Sequence, residues 1–214
     1  MKMKLNRGLY AITDSKLLSP ERMVEAVALA IQGGAVMIQY RDKGDDPMRR
    51  QWEAADLSNL CRPLGVPLII NDDVELAAQV MAKGVHLGKH DEDIAAARSQ
   101  LGPNAIIGVS CYNDLECALA AEKAGADYVA FGSFYPSRTK PSAVKAEIEL
   151  LRQAKQQLNS PVVAIGGITA DNGAQLVEAG ADMLAVITDV FGQADIRAAA
   201  EQFASLFTDD SLGC

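Results

Sequence analysis

"AGADYVAFG" (Ala124–Gly132) and "AGADMLAVI" (Ala179–Ile187) carry one pattern twice. In each, a glycine closes an alanine-rich stretch, an aspartate follows two residues later, and an apolar run of strand length starts at once. A glycine directly after a helix suits a left-handed stop. An apolar run without polar alternation reads as a strand buried on both faces, as in a parallel sheet covered by helices. The pattern returns more loosely in "QGGAVMIQ" (Gln32–Gln39) and "AKGVHLG" (Ala82–Gly88).

Extended to the whole chain, this reading predicts eight strands alternating with longer amphipathic, alanine-rich helices. The strands are Gly8–Asp14, Val36–Asp42, Pro67–Asp73, Gly84–Lys89, Ala105–Tyr112, Tyr128–Phe134, Pro161–Gly167 and Met183–Val190. Pro20–Gln32 exemplifies the helices, with Ser19 as N-cap and Pro20 in the first turn. Eight such units with no break in composition close most simply into one α/β domain over residues 1–214, a (β/α)8 TIM barrel. Residues 206–214, ending in "DDSLGC", read as a frayed tail. The rival, a doubly wound open sheet, would place a glycine-rich turn after its first strand, and "AITDSKLLSP" (Ala11–Pro20) has none.

A formal net charge of -8 argues against nucleic acid or an anionic membrane as a partner held by bulk charge, and leaves room for a local cationic cluster that grips a small anion. Small-molecule substrates are the expected partners, and a homo-oligomer is compatible with the composition. Cys61, Cys111, Cys117 and Cys214 show no metal-site spacing and read as reduced thiols. The opening "MKMKLNRGLYAITDS" has no long apolar segment and no run approaches a membrane span, so a cytoplasmic location is expected.

In a barrel, chemistry collects where the strands finish. The second strand ends in Gln39, Arg41 and Lys43 at alternate positions, which in an extended chain share one side and can hold a polyanion. The third ends in Asn71, Asp72 and Asp73, and the fourth runs into Asp91, Glu92 and Asp93. These are hard oxygen ligands suited to Mg2+, although Asp73 and Asp93 equally suit helix capping. His86 and His90 lie four apart on a strand end and not on a helix, so they do not pair as in H-E-x-x-H, and His86 reads as a wall residue and not as half of a zinc pair. Ser110 ends the fifth strand, Gly166 and Gly167 the seventh, and Ile187 and Thr188 the eighth. Glycine there, beside the eighth strand, is the usual barrel phosphate position.

Taken in order, "GLYAITD", "IQYRDK", "LIINDD", "HLGKHDED", "FYPSRTK", "AIGGI" and "MLAVIT" resemble the thiamine phosphate synthase family over essentially the whole chain. The resemblance implies a (β/α)8 barrel that joins a hydroxymethylpyrimidine diphosphate to a thiazole phosphate and releases diphosphate with Mg2+ present. It implies that the pyrimidine diphosphate is held by the stretch Gln39, Tyr40, Arg41, Asp42 and Lys43 together with Asn71, Ser110 and Lys140. Ser137, Arg138, Thr139, Gly167, Ile187 and Thr188 would hold the thiazole phosphate, and Asp72 and Asp91 the metal. Arg41, Lys43 and Lys140 would be the catalytic cations. Two departures stand out: Lys89 and His90 replace the glutamine that commonly follows "HLG", and Ser137 replaces a threonine. A related thiazole tautomerase shares the barrel but needs no diphosphate grip, and a non-catalytic phosphate-binding barrel would look much the same in sequence.

The cations of the loop after the sixth strand should be unequal. Lys140 matches the constant position of the motif and Arg138 the variable one. Lys140→Ala should slow single-turnover chemistry by about ten- to a thousandfold, the scale of one lost charge-stabilising donor. Arg138→Ala should change little. Ser137→Ala and Thr139→Val should mainly raise KM for the thiazole phosphate. A larger defect at Arg138 than at Lys140 would reverse the assignment.

Overall fold

The computed structural model describes residues 4–88, 93–136 and 144–208. Eight strands and nine helices are found among them: β1 (Gly8–Ile12), α1 (Pro20–Gln32), β2 (Ala35–Tyr40), α2 (Pro47–Cys61), β3 (Leu68–Asn71), α3 (Val74–Gln79), β4 (Gly84–Leu87), α4 (Ile94–Leu101), β5 (Ile106–Tyr112), α5 (Leu115–Ala124), β6 (Tyr128–Phe131), α6 (Glu149–Gln157), β7 (Val162–Ile165), α7 (Ala170–Glu178), β8 (Met183–Val186), α8 (Thr188–Phe191) and α9 (Ile196–Ser205). The strands pair in sequence order, all parallel. β1 then pairs with β8, Gly8 opposite Met183 through Ala11 opposite Val186, which closes the barrel. The expected (β/α)8 fold is therefore the observed one.

The strands stop sooner than their apolar runs. Thr13 N–H still reaches the Gln39 carbonyl at 2.9 Å and Asp72 N–H the His86 carbonyl at 2.8 Å, so the ladder frays into loops that keep some of its bonds. The eighth run is split. Expected as one strand to Val190, it leaves the sheet at Ile187, whose carbonyl accepts from Phe191 N–H at 2.9 Å as α8 begins. Ser19 sits at the N-cap of α1, but its side chain makes no capping bond. Its carbonyl accepts from Arg22 and Met23 instead. Leu206 and Phe207, expected in a frayed tail, pack on the core, and Arg7 lies over the Phe207 ring at 5.9 Å.

The repeated "AGAD" pattern has a common physical purpose. Gly125 takes the left-handed conformation that ends α5, and Gly180 has φ +111° after α7. The aspartate that follows caps the neighbouring strand: Asp127 accepts from Ile107 N–H and Asp182 from Val162 N–H, both at 2.9 Å. A helix cation completes each pair, Arg98 at 2.6 Å from Asp127 and Lys155 at 2.8 Å from Asp182. Gly84 departs from the pattern. It is the first residue of β4, and a Cβ there would lie 1.8 Å from the Ile106 carbonyl oxygen, so close strand approach and not a helix stop demands glycine.

Alternation along each strand sorts side chains into two layers. Tyr10, Ile12, Met37, Ile69, Ile106, Tyr128, Ala130, Val163, Met183 and Ala185 fill the lumen. Leu9, Ala11, Ile38, Tyr40, Leu68, Ile70, Val129, Phe131 and Leu184 face the helices. Room for Tyr128 in the lumen comes from Gly108, where a Cβ would sit 1.9 Å from the Tyr128 ring. Gly108→Ala should therefore destabilise the fold by about 2 kcal/mol through overpacking. Gly125→Ala, with open space but φ +100°, should cost about 1 kcal/mol of backbone strain. Urea unfolding of the two variants checks the order, and equal losses would contradict the packing argument.

Candidate active site

The lumen is apolar at its base and turns polar towards the strand C-termini. There Gln39, Arg41, Asn71, His86 and Ser110 on the β2–β5 side face Gly166, Gly167, Ile187 and Thr188 on the β7–β8 side, around a cavity of about 530 Å³. Five of these residues (Gln39, Arg41, Asn71, His86, Ser110) come from four successive strand ends, so closure of the sheet, not sequence proximity, makes them neighbours. His86 is a wall residue, as its place in an apolar run implies: it is buried, with Nδ1 2.9 Å from the Tyr128 hydroxyl and Nε2 2.8 Å from Ser110 Oγ. On the far side of Tyr128, its hydroxyl is 2.8 Å from that of Tyr10, which accepts from Gln39 Nε2 at 2.6 Å. Burial pushes both tyrosine hydroxyls up, so they stay protonated at neutral pH.

The end of β2 divides its residues between two places. Gln39 and Arg41 enter the cavity, and Arg41 is tied down by its N–H to Thr13 Oγ1 at 3.0 Å and by Asp14 at 3.7 Å. Tyr40 does not: its side chain is buried among the helices and donates to Glu53 of α2 at 2.6 Å. Alternation points its side chain outward, away from the cavity in which substrate contact was expected. Asp42 is also turned away from the central cavity, its carboxylate 2.5 Å from Arg49. Lys43 does not share a side with Gln39 and Arg41 as an extended chain would require. β2 ends at Tyr40, and Lys43 turns into an adjoining groove of about 370 Å³ where it pairs with Asp72. Asn71 lines both spaces and donates to Asp72 at 2.6 Å.

Asp72 has φ +64°, an uncommon left-handed backbone for aspartate, and its side chain is partly exposed to the groove. A hard carboxylate at the rim of a cation-lined groove fits Mg2+, which takes one or two carboxylates together with phosphate oxygens. Asp91, the other expected ligand, lies outside the described residues, as do Lys89, His90, Ser137, Arg138, Thr139 and Lys140. Asp73 and Asp93 are helix caps, accepting from Leu76 N–H at 2.8 Å and Ala95 N–H at 2.7 Å. Asp73 is also bound by Arg50 at 2.8 Å.

Across the cavity, Gly166 and Gly167 have φ +103° and +63°. They serve more than a turn, because the segment after β6 lies directly on them: Tyr135 N–H donates to the Gly166 carbonyl at 3.0 Å, and a Cβ on Gly167 would be 2.4 Å from the Pro136 carbonyl oxygen. The segment up to Pro136 is thus held against the loop that follows β7. The buried thiols of Cys61 and Cys111 are poor nucleophiles. Burial and the adjacent Cys117 push the Cys111 thiol up, and burial pushes Cys61 up to about 12.

Sequence reading missed the support beneath β2, where Arg49 bridges Asp42 and Glu53, the latter at 3.3 Å. An arginine at the start of a helix carries no signal of this. Burial raises the Asp42 pKa, but the Gly44 N–H, the Ser15 hydroxyl and the Arg49 and Arg50 charges outweigh it and hold the carboxyl below its ordinary value. Its stabilisation is therefore present at neutral pH and lost as pH falls through that lowered value. Arg49→Met should cost about 1–2 kcal/mol, discounted because Arg49 is 30% exposed. It should also move acid unfolding to higher pH. An unchanged acid midpoint by circular dichroism would contradict this.

Comparison with known proteins identifies the family. The family model described as thiamine monophosphate synthase matches residues 9–190. The thiamine-phosphate synthase of Nitrosococcus oceani is 56% identical over 206 residues, covering 96% of this chain and 95% of that one. That of Thiobacillus denitrificans is 51% identical over 200 residues, covering 94% of each. The solved structure of thiamine phosphate pyrophosphorylase from Pyrococcus furiosus superposes with a TM-score of 0.83 at 41% identity, covering 94% of this chain and 95% of that one. With the barrel, the strand-end residues and relatives this similar along nearly the full length, the chain belongs to the thiamine monophosphate synthase family.

Proposed function

We infer that the protein is a thiamine-phosphate synthase, a transferase that joins 4-amino-2-methyl-5-hydroxymethylpyrimidine diphosphate to 4-methyl-5-(2-hydroxyethyl)thiazole phosphate. The observation that carries this reading is the junction at Asn71 between a lumen cavity of ring size and a groove holding Lys43 and Asp72. A pyrimidine in the cavity would direct its diphosphate towards the groove. The thiazole phosphate would lie on the β7–β8 side, against Gly167, Ile187 and Thr188 and the loop of Ser137 to Thr139.

In the reaction the bond between the pyrimidine methylene carbon and the diphosphate oxygen breaks, and the oxygen keeps the electron pair. The methylene carbon is then captured by the thiazole ring nitrogen, which becomes the quaternary nitrogen of thiamine phosphate. No side chain need act as nucleophile, consistent with the raised thiols of Cys61 and Cys111. Arg41, Lys43 and Lys140 supply positive charge where negative charge grows on the leaving group. Mg2+, held by Asp72 and Asp91, would neutralise further diphosphate charge when bound. The electron-rich aminopyrimidine stabilises a developing cation, and the apolar lumen walls keep water from intercepting it. Among the described residues no helix is long and apolar enough to cross a membrane, which suits an enzyme of the cytoplasm acting on small phosphorylated substrates.

Purified protein given both substrates and Mg2+ should form thiamine phosphate and diphosphate in equal amounts. Asp72→Asn and Asp91→Asn should each lower turnover at least about a hundredfold at limiting Mg2+, since each removes a negative ligand, and excess chelator should abolish it. Full activity in chelator, or in both variants, would overturn the metal assignment.

A further inference from the structure

The lumen holds an unbroken chain of hydrogen bonds that crosses the barrel from β2 to β5: Gln39 Nε2 to Tyr10 Oη at 2.6 Å, Tyr10 Oη to Tyr128 Oη at 2.8 Å, Tyr128 Oη to His86 Nδ1 at 2.9 Å, and His86 Nε2 to Ser110 Oγ at 2.8 Å. The two ends, Gln39 and Ser110, line the substrate cavity. None of the three middle residues is required by the leaving-group chemistry.

The direction of donation along the chain follows from its first member. Gln39 Nε2 can only donate, so Tyr10 accepts there and its own proton must go elsewhere. Tyr10 is fully buried, and Tyr128 is its only other hydrogen-bond partner among the described residues. If Tyr128 donated to Tyr10, the Tyr10 hydroxyl proton would be buried without an acceptor, a penalty comparable to a lost hydrogen bond. Tyr10 therefore donates to Tyr128. The single proton of Tyr128 then goes to His86 Nδ1, which must be the acceptor nitrogen. A neutral imidazole with Nδ1 accepting carries its proton on Nε2 and donates it to Ser110 Oγ.

We propose that Tyr10, Tyr128 and His86 are positioning residues that lock His86 as its Nε2–H tautomer and so free the Ser110 hydroxyl proton for donation to the substrate. The opposite polarity would leave Ser110 as an acceptor from the substrate, and the cavity would then select a different ring edge. At the other end, the same direction leaves Gln39 Oε1 as an acceptor. A heterocycle that offers an acceptor near Ser110 and a donor near Gln39 is thereby preferred. This specificity device rests on the synthase reading for the identity of the ring, but the tautomer itself does not.

The decisive measurement is a long-range ¹⁵N–¹H correlation spectrum of the full, labelled chain at neutral pH. The chain has only two histidines, so a His90→Gln variant assigns the His86 ring. A protonated, pyrrole-type Nε2 beside a pyridine-type Nδ1 is expected. A protonated Nδ1, or two averaged nitrogens, in the unmodified protein would overturn the proposal whether or not the enzyme assay succeeds. Tyr128→Phe should release the lock and bring the two nitrogen shifts together. It should also raise KM for the pyrimidine diphosphate about tenfold, the scale of one neutral hydrogen bond, with a smaller change in kcat. Because Tyr128 acts through Ser110, adding Tyr128→Phe to Ser110→Ala should cost little more than Ser110→Ala alone, and multiplied effects would count against the mechanism. His86→Gln, whose amide N–H reaches the Nε2 position, should restore KM to within about threefold, whereas His86→Asn, which reaches the Nδ1 position, should match Ser110→Ala. Equal defects in these two variants would reduce His86 to a filler of space.

Discussion

The pairing of β1 with β8, Gly8 to Ala11 against Met183 to Val186, is the contact on which the site depends. An open sheet of the same strands would leave two exposed edges and no lumen. Closure converts the alternation of every strand into an inside and an outside. From that point a residue's parity decides its chemistry. Gln39 and Tyr40 are adjacent, yet one faces the substrate cavity and the other donates to Glu53 under α2.

The lumen illustrates how a barrel carries polar groups at depth. Two tyrosines, a histidine, a serine and a glutamine occupy a space otherwise filled by Ile12, Met37, Ile69 and Val163. Burying such groups is costly unless each hydrogen bond is made. Here each partner is another lumen side chain from a different strand, and the bonds run in one continuous line. The arrangement therefore stabilises one register of five strands at once, while orienting Gln39 and Ser110, which line the cavity. Gly108 is the steric condition for it, since any side chain there would occupy the place of the Tyr128 ring.

Outside the lumen, charge is held in layers. Asp42, Arg49, Glu53 and Tyr40 form a tethered group behind β2, and Arg50 with Asp73 ties α2 to the start of α3. Lys43 and Asp72 stand in front of that group, at the groove. The residues expected to meet diphosphate are thus loop residues on a braced support, which keeps their charges in place before a ligand arrives.

Much of this was legible from residue order. Near-continuous apolar runs, helix-stopping glycines and the absence of a glycine-rich first turn pointed to a barrel, because backbone pairing and burial act on local pattern. The polar residues at strand ends pointed to the site for the same reason, and the capping of α3 and α4 by Asp73 and Asp93 followed from position alone. Other features needed the closed structure. Nothing local distinguishes Val186 from Thr188, yet the first is strand and the second begins a helix, because the chain turns where the ladder with β1 ends. The divergence of Lys43 from Gln39 and Arg41 depends on where β2 stops being extended. The hydrogen-bonded line through Tyr10, Tyr128 and His86 joins residues up to 118 positions apart. Sequence by itself determined the periodicity, and with it the fold and the set of candidate residues. Only tertiary structure decided which of them face one another, because donor and acceptor become partners through distance in space, and closure of the sheet sets that distance.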